Sequence, residues 1–170
     1  MRKVVTISDQ EPAPSAPRKI RISFPDANVS AIADLLEEDC GTTCQTIWDL
    51  LPLRVTALHD IWSGHLVLAH LEESVQIIPE NVLTYLPVPG DLFYYYRPAH
   101  YVRGAPYGRG ESAELGIVYA QDTRPQGPRG PEGVNLFATI SSGLDEFAGA
   151  CEAMIRSGER AILFERVETD

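Results

Sequence analysis

The feature that most constrains the fold is the stretch from Leu53 to Glu72, which has the pattern of two β-strands joined by a turn. Its first half alternates two sets of side chains with the two-residue period of a pleated strand. The two sets are Val55, Ala57 and His59, and Thr56, Leu58 and Asp60. Ser63-Gly64 then supplies the turn, because glycine tolerates a positive φ. We therefore predict a β-hairpin around which the rest of the chain is arranged.

Trp62 lies at the tip of this predicted hairpin, beside Ser63 and Gly64. Two interpretations of it are open. A large aromatic ring next to a small hydroxyl residue can form one wall of a ligand pocket. The same ring can instead close one end of a barrel core by packing alone, which is the commoner role of a large aromatic side chain.

Short segments with strand patterns recur along the chain. They are residues 2–8, 18–24, 29–36, 91–96, 114–120, 134–140 and 160–165. Residues 28–39 also contain the Ala, Leu and Glu that favour a helix. The alternation of apolar and other residues over 29–36 nevertheless favours a strand there.

Two segments have helical periodicity instead. Thr42-x-x-Gln45 matches a capping box, and Pro52 ends the helix that follows. Ser142-x-x-Asp145 predicts the start of a second helix, with Gly158 as its stop. The predicted apolar faces are Cys44, Ile47, Trp48 and Leu51 in the first helix, and Leu144, Phe147, Ala148, Cys151, Met154 and Ile155 in the second.

Many short strands and two widely separated helices predict a mainly β fold, a closed barrel of about eight strands with two flanking α-helices. Repeating βαβ units are absent, which argues against a doubly wound parallel sheet. Residues 1–17 read as an N-terminal arm with a proline-rich linker, and residues 18–170 as one barrel domain. The arm is either loose or pairs with a sheet edge, in which case it offers a route to a homo-oligomer.

The charge of the chain excludes several classes of partner. Lys and Arg total 14 against 24 Asp and Glu, a net charge of -10, and an acidic surface repels nucleic acids and anionic membranes. No apolar run reaches the ~20 residues that span a bilayer, and the first residues are too short an apolar run for a signal peptide. Three cysteines, an odd number, argue against a secreted disulfide framework. We therefore expect a cytoplasmic protein that binds neither nucleic acid nor membrane.

The histidines of the hairpin suggest a metal-binding site, but the geometry of a strand argues against one. His59 and His65 flank the turn, but His70 lies five residues beyond His65, about 17 Å along an extended strand. The glycines of the 97–113 loop do not follow phosphate-loop spacing. We expect no metal and no cofactor. A Cys44/His59 catalytic pair remains conceivable, although nothing in the sequence brings the two together.

The candidate ligand pocket combines aromatic walls with hydroxyl, amide and imidazole groups, a mixture typical of small-molecule sites. Its residues are His59, Trp62, Ser63, Tyr95, Tyr119 and Asn135. Two glycine- and proline-rich loops also carry arginines that suit a carboxylate or phosphate. The candidates for anion binding are Arg103, Arg109 and Arg124. A solvated loop surface is the alternative for each of these arginines.

The order of several short motifs over residues 18–168 resembles that of a family of small bacterial proteins of unknown function with a cyclophilin-like fold. The motifs are Thr43-Cys44, Trp48, Leu50-Leu51-Pro52, His59, Trp62-Ser63-Gly64, Pro89-Gly90-Asp91, Tyr119, Asn135-x-Phe137-Ala138 and the helix that begins near Leu144. The resemblance implies an eight-stranded barrel with two helices and brings no established activity. The arm and the long 97–113 loop depart from the family pattern.

Three functions follow as hypotheses. The first is a barrel that binds a small polar or anionic metabolite near Trp62. The second is an amide- or ureide-processing hydrolase, or its accessory subunit, with His59 as general base and Ser63 or Cys44 as its partner. The third is a protein-interaction module. Cyclophilins isomerise prolyl bonds with a Phe-x-Arg strand and a Gln-Gly-Gly-Asp segment, and neither is present, so we expect no prolyl isomerase activity.

Overall fold

A computed structural model describes residues 16–71, 75–80, 82–100, 103–104 and 110–168. The strand predicted at residues 2–8 lies outside these residues. Eleven strands and two helices are present in the described residues. The strands are β1 (Lys19–Phe24), β2 (Val29–Leu35), β3 (Leu53–His59), β4 (Leu66–His70), β5 (Leu83–Thr84), β6 (Asp91–Arg97), β7 (Ser112–Val118), β8 (Gln126–Gly127), β9 (Gly130–Pro131), β10 (Val134–Ser142) and β11 (Arg160–Val167), and the helices are α1 (Glu37–Leu50) and α2 (Leu144–Ser157).

Eight of the strands close into an antiparallel barrel. They follow one another in the order β2-β1-β11-β3-β4-β7-β6-β10, and β10 pairs back onto β2 to complete the ring. The short β5 pairs with the beginning of β10 only, and β8 and β9 form a separate two-stranded hairpin. The predicted closed barrel with two helices is confirmed. The strand interpretation of residues 29–36 is confirmed as well.

The barrel core follows the two-residue period of its strands. Buried side chains alternate with more exposed ones in several strands, as in Ile20, Ile22 and Phe24 of β1 and Ala31, Ala33 and Leu35 of β2. Helix α2 adds Phe147, Cys151 and Met154 to the same cluster. Its predicted stop is confirmed, since Gly158 has φ +81° and donates its N–H to the Met154 carbonyl. The predicted Ser142 cap is wrong, because Gly143, with φ +83° and no side-chain cap bond, precedes the helix.

Helix α1 starts earlier than its sequence pattern predicts. It begins at Glu37 and has an irregular turn at Cys40, where φ is -144° and ψ is 55°. The backbone N–H groups of Thr42 and Thr43 donate to the Glu80 carboxylate, at 3.1 and 2.6 Å. The remote Glu80 therefore satisfies these donors in place of the predicted Thr42–Gln45 box. Cys44, Ile47 and Leu51 are buried as predicted.

A second apolar cluster lies apart from the main core. It consists of Leu66, Phe93, Val118 and Val134, with Leu68, Tyr95 and Leu136 packed against it. In β4 and β6 these residues alternate with members of the main core, so they belong to the opposite, outer face of the barrel wall. The Phe93 ring fills the space over Gly116, where an added Cβ would lie 2.0 Å from Cζ of Phe93. Strand β6 is consequently buried on both faces.

Candidate functional site

The six residues of the predicted pocket fall in three different surroundings. His59 and Tyr119 bond to each other, Ser63 and Tyr95 line a cleft on the outside of the barrel, and Asn135 is a buried hydrogen-bonding residue. Trp62 is 85% exposed at the hairpin tip. The interpretation of Trp62 as the closure of the barrel core is therefore wrong. A single pocket that contains all six residues does not form in the described part of the chain.

His59 and Tyr119 belong to a hydrogen-bonded chain that leads to helix α2. Nε2 of His59 lies 2.6 Å from the Tyr119 hydroxyl, and that hydroxyl donates to Oε2 of Glu152 at 2.8 Å. The His65 ring packs edge-on against Tyr119 with a centroid distance of 5.5 Å. Desolvation and the hydrogen bond to Glu152 raise the pKa of Tyr119 well above its ordinary range. The Tyr119 hydroxyl therefore stays protonated and donates its hydrogen bond to the Glu152 carboxylate.

These hydrogen bonds determine which ring nitrogen of His59 carries the hydrogen. Because the Tyr119 hydroxyl donates to Glu152, Nε2 of His59 must carry the hydrogen that bonds to the Tyr119 oxygen. Nδ1 is then an acceptor, and it is buried with no hydrogen-bond partner among the described residues. Desolvation lowers the pKa of His59, although the charge of Glu152 opposes this. His59 is a neutral imidazole with one unused acceptor atom.

The lowered pKa of His59 predicts that acid weakens the fold. The native state binds fewer protons than the unfolded chain, whose histidine titrates near its ordinary value of about 6.5. The stabilising contribution is present above that pH and is lost as the pH falls through the lower native pKa. We expect the unfolding free energy of the His59→Gln variant to fall less than that of the wild type between about pH 7.5 and pH 5.5, measured by denaturant titration.

The exposed Thr56 provides the control for this experiment. Thr56→Gln, on the same strand β3, introduces the same side chain without removing a titrating group and should keep the wild-type dependence on pH. If both substitutions change the slope equally, or if neither does, burial of His59 is not the cause of the acid sensitivity.

Ser63 connects the hairpin tip to the loop that precedes β8. Its Oγ donates to Asp60 at 2.5 Å and accepts the backbone N–H of Gln126 at 2.9 Å, while its carbonyl accepts from the backbone N–H of Arg124 at 2.8 Å. Ser63 is 2% exposed. The predicted pairing of Ser63 with His59 as nucleophile and base is not present, since each residue has different hydrogen-bond partners.

The outer cleft lies between the hairpin tip and the 125–134 segment, and its cavity volume is about 20 Å³. The residues that line it are Asp60, Ser63, Leu66, Leu68, Phe93, Tyr95, Glu114, Pro125, Gln126, Glu132 and Val134. The apolar members of this set belong to the second cluster and form the floor. Three carboxylates lie around it, and none of the described lining residues is Lys, Arg or His. The cleft is apolar at its base and acidic at its rim.

A second cavity adjoins the first and shares Tyr95 and Glu132 with it. Its volume is about 180 Å³, and Asn135 is among its lining residues. Asn135 is 1% exposed and makes two hydrogen bonds. Its Oδ1 accepts the backbone N–H of Glu80 at 3.0 Å, and its Nδ2 donates to Oγ1 of Thr43 at 2.9 Å. Since Thr43 Oγ1 donates in turn to Glu80, the three residues form a closed ring of hydrogen bonds.

Two of the predicted anion-binding arginines, Arg103 and Arg124, are exposed on their loops and do not line the outer cleft. Arg109 lies outside the described residues. Cys44 is fully buried beside Cys40, and the Cys40 thiol and burial raise its pKa well above the ordinary range, which makes it a poor nucleophile. Its Sγ bonds to the Phe137 carbonyl, so the predicted Cys44/His59 pair does not form.

Two further findings bear on the class of protein. Within the described ranges, no three His, Cys, Asp or Glu side chains are arranged to hold a metal ion. The two helices of the same ranges are too short or too polar to cross a membrane.

Sequence reasoning missed the residues that complete each site. Glu152, Asp60, Glu114, Gln126 and Glu132 were not selected as site residues. Asp60 at the hairpin tip accepts the Trp62 backbone N–H two residues on, which is the pattern of an Asx turn and a local signal for its place in the turn. The other residues approach the cleft only through long-range strand pairing, for which the sequence has no local signal.

The class of protein is therefore a closed antiparallel β-barrel with two helices and a small outer cleft. The comparison with protein families gives the more particular assignment. Residues 22–165 match the family described as "Protein of unknown function (DUF3830)", and the chain belongs to this family. A search of curated proteins finds no match.

Two solved structures share the fold. One is McbB in complex with tryptophan, with a TM-score of 0.63 and 15% identity over 89% of this chain. The other is the hypothetical protein AF2241 from Archaeoglobus fulgidus, with a TM-score of 0.56 and 17% identity over 91% of this chain. The match spans 46% of McbB, about half its length, and 98% of AF2241. At these identities the likeness concerns the fold alone.

Proposed function

We propose that this protein binds a small molecule in the outer cleft between the hairpin tip and the 125–134 segment. The observation that carries the proposal is an apolar floor of Leu66, Phe93 and Val134 within a rim of carboxylates. Small-molecule sites have this composition, with mostly apolar walls and a few placed polar groups that orient the ligand. The two adjoining cavities are small, about 20 and 180 Å³, which restricts the ligand to a compact molecule.

The charges of the rim favour a ligand with a cationic amine. Asp60 and Glu114 line the cleft; the Glu114 side chain is only 14% exposed, and Nδ1 of His70 lies 3.6 Å from its Oε1. A partly desolvated carboxylate attracts an ammonium group and repels an anion. The ligand class that fits best is therefore an amine with a compact apolar body. McbB, which shares the fold, is described in complex with an aromatic amino acid, and that description is compatible with such a ligand.

A matched pair of probes tests the proposal. Tryptamine and indole-3-propionate have the same ring and opposite charges. We expect tryptamine to raise the melting temperature by about 3–6 °C at tenfold excess over its dissociation constant, which corresponds to about 1.4 kcal/mol. Indole-3-propionate should have no effect. Calorimetric titration then gives the affinity directly.

Variants locate the binding. Glu114→Gln should weaken tryptamine binding several-fold, because it removes the charge and keeps the shape of the side chain. Glu146→Gln, at an exposed position of α2, is the matched control and should bind as the wild type does. Equal binding of both probes, or an equal loss of binding in both variants, would show that the acidic rim does not recognise the ligand. If neither probe binds, the amine assignment fails.

One observation favours a second candidate function, an enzyme that uses His59 as a base. The unpartnered Nδ1 of His59, fixed through Tyr119 and Glu152, is an acceptor ready for a proton. Neither of the two adjoining cavities contains His59, so this candidate ranks second. Release of ammonia from small amides or ureides that is lost in a folded His59→Gln variant would support it. On the resemblance described above, we further propose that the barrel is of the cyclophilin-like kind, without prolyl isomerase activity.

A further inference from the structure

The segment 78–88 exposes an unusual concentration of apolar side chains. Five large ones are between 52% and 85% exposed. They are Ile78, Leu83, Tyr85, Leu86 and Val88, and we call them the 78–88 face. Single exposed apolar residues are normal on protein surfaces, but a cluster of this kind marks an interaction site.

The same segment is almost free of charge in an otherwise acidic chain. Glu80 is the only charged residue between positions 75 and 90, whereas the whole chain has 24 acidic residues and a net charge of -10. Glu80 is half-buried, and its carboxylate accepts three hydrogen bonds from Thr42 and Thr43. None of the five side chains of the 78–88 face is charged, and the one carboxylate of the segment is bound to helix α1.

The backbone of the segment is rigid and has a free strand edge. Pro79, Pro87 and Pro89 limit its conformations, which lowers the entropy lost on binding. Strand β5 pairs with β10 on one side and has no strand partner on the other side among the described residues. An unpaired edge is a template for the edge of another chain.

We propose that the 78–88 face is the contact between two copies of this chain, related by a two-fold axis. Two molecules that each carry a charge of -10 repel each other wherever acidic surfaces meet. An uncharged apolar face is the surface where that repulsion is weakest and where apolar burial stabilises the contact. A two-fold axis brings the same patch of both molecules together, and β5 can then lie antiparallel to its copy.

The exposed area of the 78–88 face sets the expected strength of the dimer. Five partly exposed side chains offer a few hundred Å² in each copy, below the roughly 800 Å² per partner of a standard interface. The dimer should therefore be weak and dependent on concentration. This inference does not depend on the ligand proposed for the outer cleft.

Sedimentation velocity on the full chain tests the dimer. We expect the wild type to change from monomer to dimer between about 2 µM and about 200 µM. Leu86→Arg should remain monomeric over that range, because it places a charge on each side of the axis. Ile78→Arg is a second variant at an 85% exposed position, which tolerates the change without loss of the fold. Ile155→Arg, at a 48% exposed position of α2, is the control and should dimerise as the wild type does.

Each outcome decides the proposal. A wild type that is monomeric at the highest concentration overturns it. A dimer that survives both Leu86→Arg and Ile78→Arg also overturns it. If that surviving dimer disappears when residues 1–15 are removed, the N-terminal arm is the contact instead. Loss of the dimer in both variants, with unchanged melting temperatures and an intact Ile155→Arg dimer, supports the 78–88 face.

Discussion

Phe147→Ala should destabilise the protein by about 3–5 kcal/mol, which lowers the melting temperature by roughly 6–20 °C in a chain of this size. Phe147 is fully buried in helix α2 and stacks on Phe24 of β1, with ring centroids 4.9 Å apart. Truncation removes the buried ring and leaves a cavity that the closed barrel cannot fill by relaxation. It also removes the stacked pair, an additional contribution of about 0.5–1.5 kcal/mol.

Ile155→Ala provides the matched control on the same helix. Ile155 is 48% exposed, so we expect a loss of less than about 1 kcal/mol. Equilibrium unfolding in urea measures both variants. A cost below about 1 kcal/mol for Phe147→Ala would show that α2 does not contribute to the barrel core.

Local patterns predicted most of the strands. The 53–72 hairpin alternates because β3 faces the core with every second residue, and Gly64 has φ +95° as its place in the turn requires. The turn is longer than Ser63-Gly64, since the last β3 pair joins His59 to Val67 and six residues lie between the strands. The Asp60–Ser63 hydrogen bond and the Arg124–Ser63 contact hold this longer turn in place.

Contacts between distant parts of the chain explain what the sequence did not predict. The part of α1 that follows the irregular turn at Cys40 depends on Glu80, which follows Thr42 and Thr43 by almost forty residues and has no local pattern with them. The outer cluster depends on Gly116, which leaves room for the Phe93 ring across the β6–β7 pair. The roles of Glu80 and Gly116 cannot be recognised from the sequence, because their contacts depend on the register of the barrel strands.

The candidate site was predicted by residue type and not by position. His59, Tyr119 and Asn135 were selected as members of one ligand pocket; His59 and Tyr119 do meet, whereas Asn135 bonds to Thr43 and Glu80. Their partner Glu152 lies on a helix, where a carboxylate on the polar side has no distinguishing signal. Ser63 and Tyr95 share a cleft because the hairpin tip and β6 converge over β4 and β7, an arrangement set by strand order alone.

Asn135→Asp should cost about 3 kcal/mol or more, although the two side chains have the same shape. Asn135 uses its amide as donor to Thr43 and its carbonyl as acceptor from Glu80, inside a ring that is almost fully buried. A carboxylate has no donor for Thr43 and adds a negative charge beside the Glu80 carboxylate. An unpaired buried charge of this kind is among the most destabilising single changes. Because acid neutralises the introduced carboxylate, the cost should shrink between about pH 7 and pH 5.

A double-mutant cycle separates this structural role from a ligand-binding role. Combining Asn135→Asp with Glu80→Gln removes the repulsion, and we expect a coupling free energy of at least about 1 kcal/mol, measured by urea unfolding of the four proteins. Asn135→Ala, which leaves two groups of the ring unsatisfied without adding charge, should cost about 1–3 kcal/mol. If Asn135→Asp leaves the unfolding free energy unchanged and alters only tryptamine affinity, Asn135 contacts the ligand and the ring is not a stabilising element. If the unfolding free energy falls as expected, Asn135 is required for the fold, because its ring joins α1, β10 and the 75–80 segment that leads to the 78–88 face.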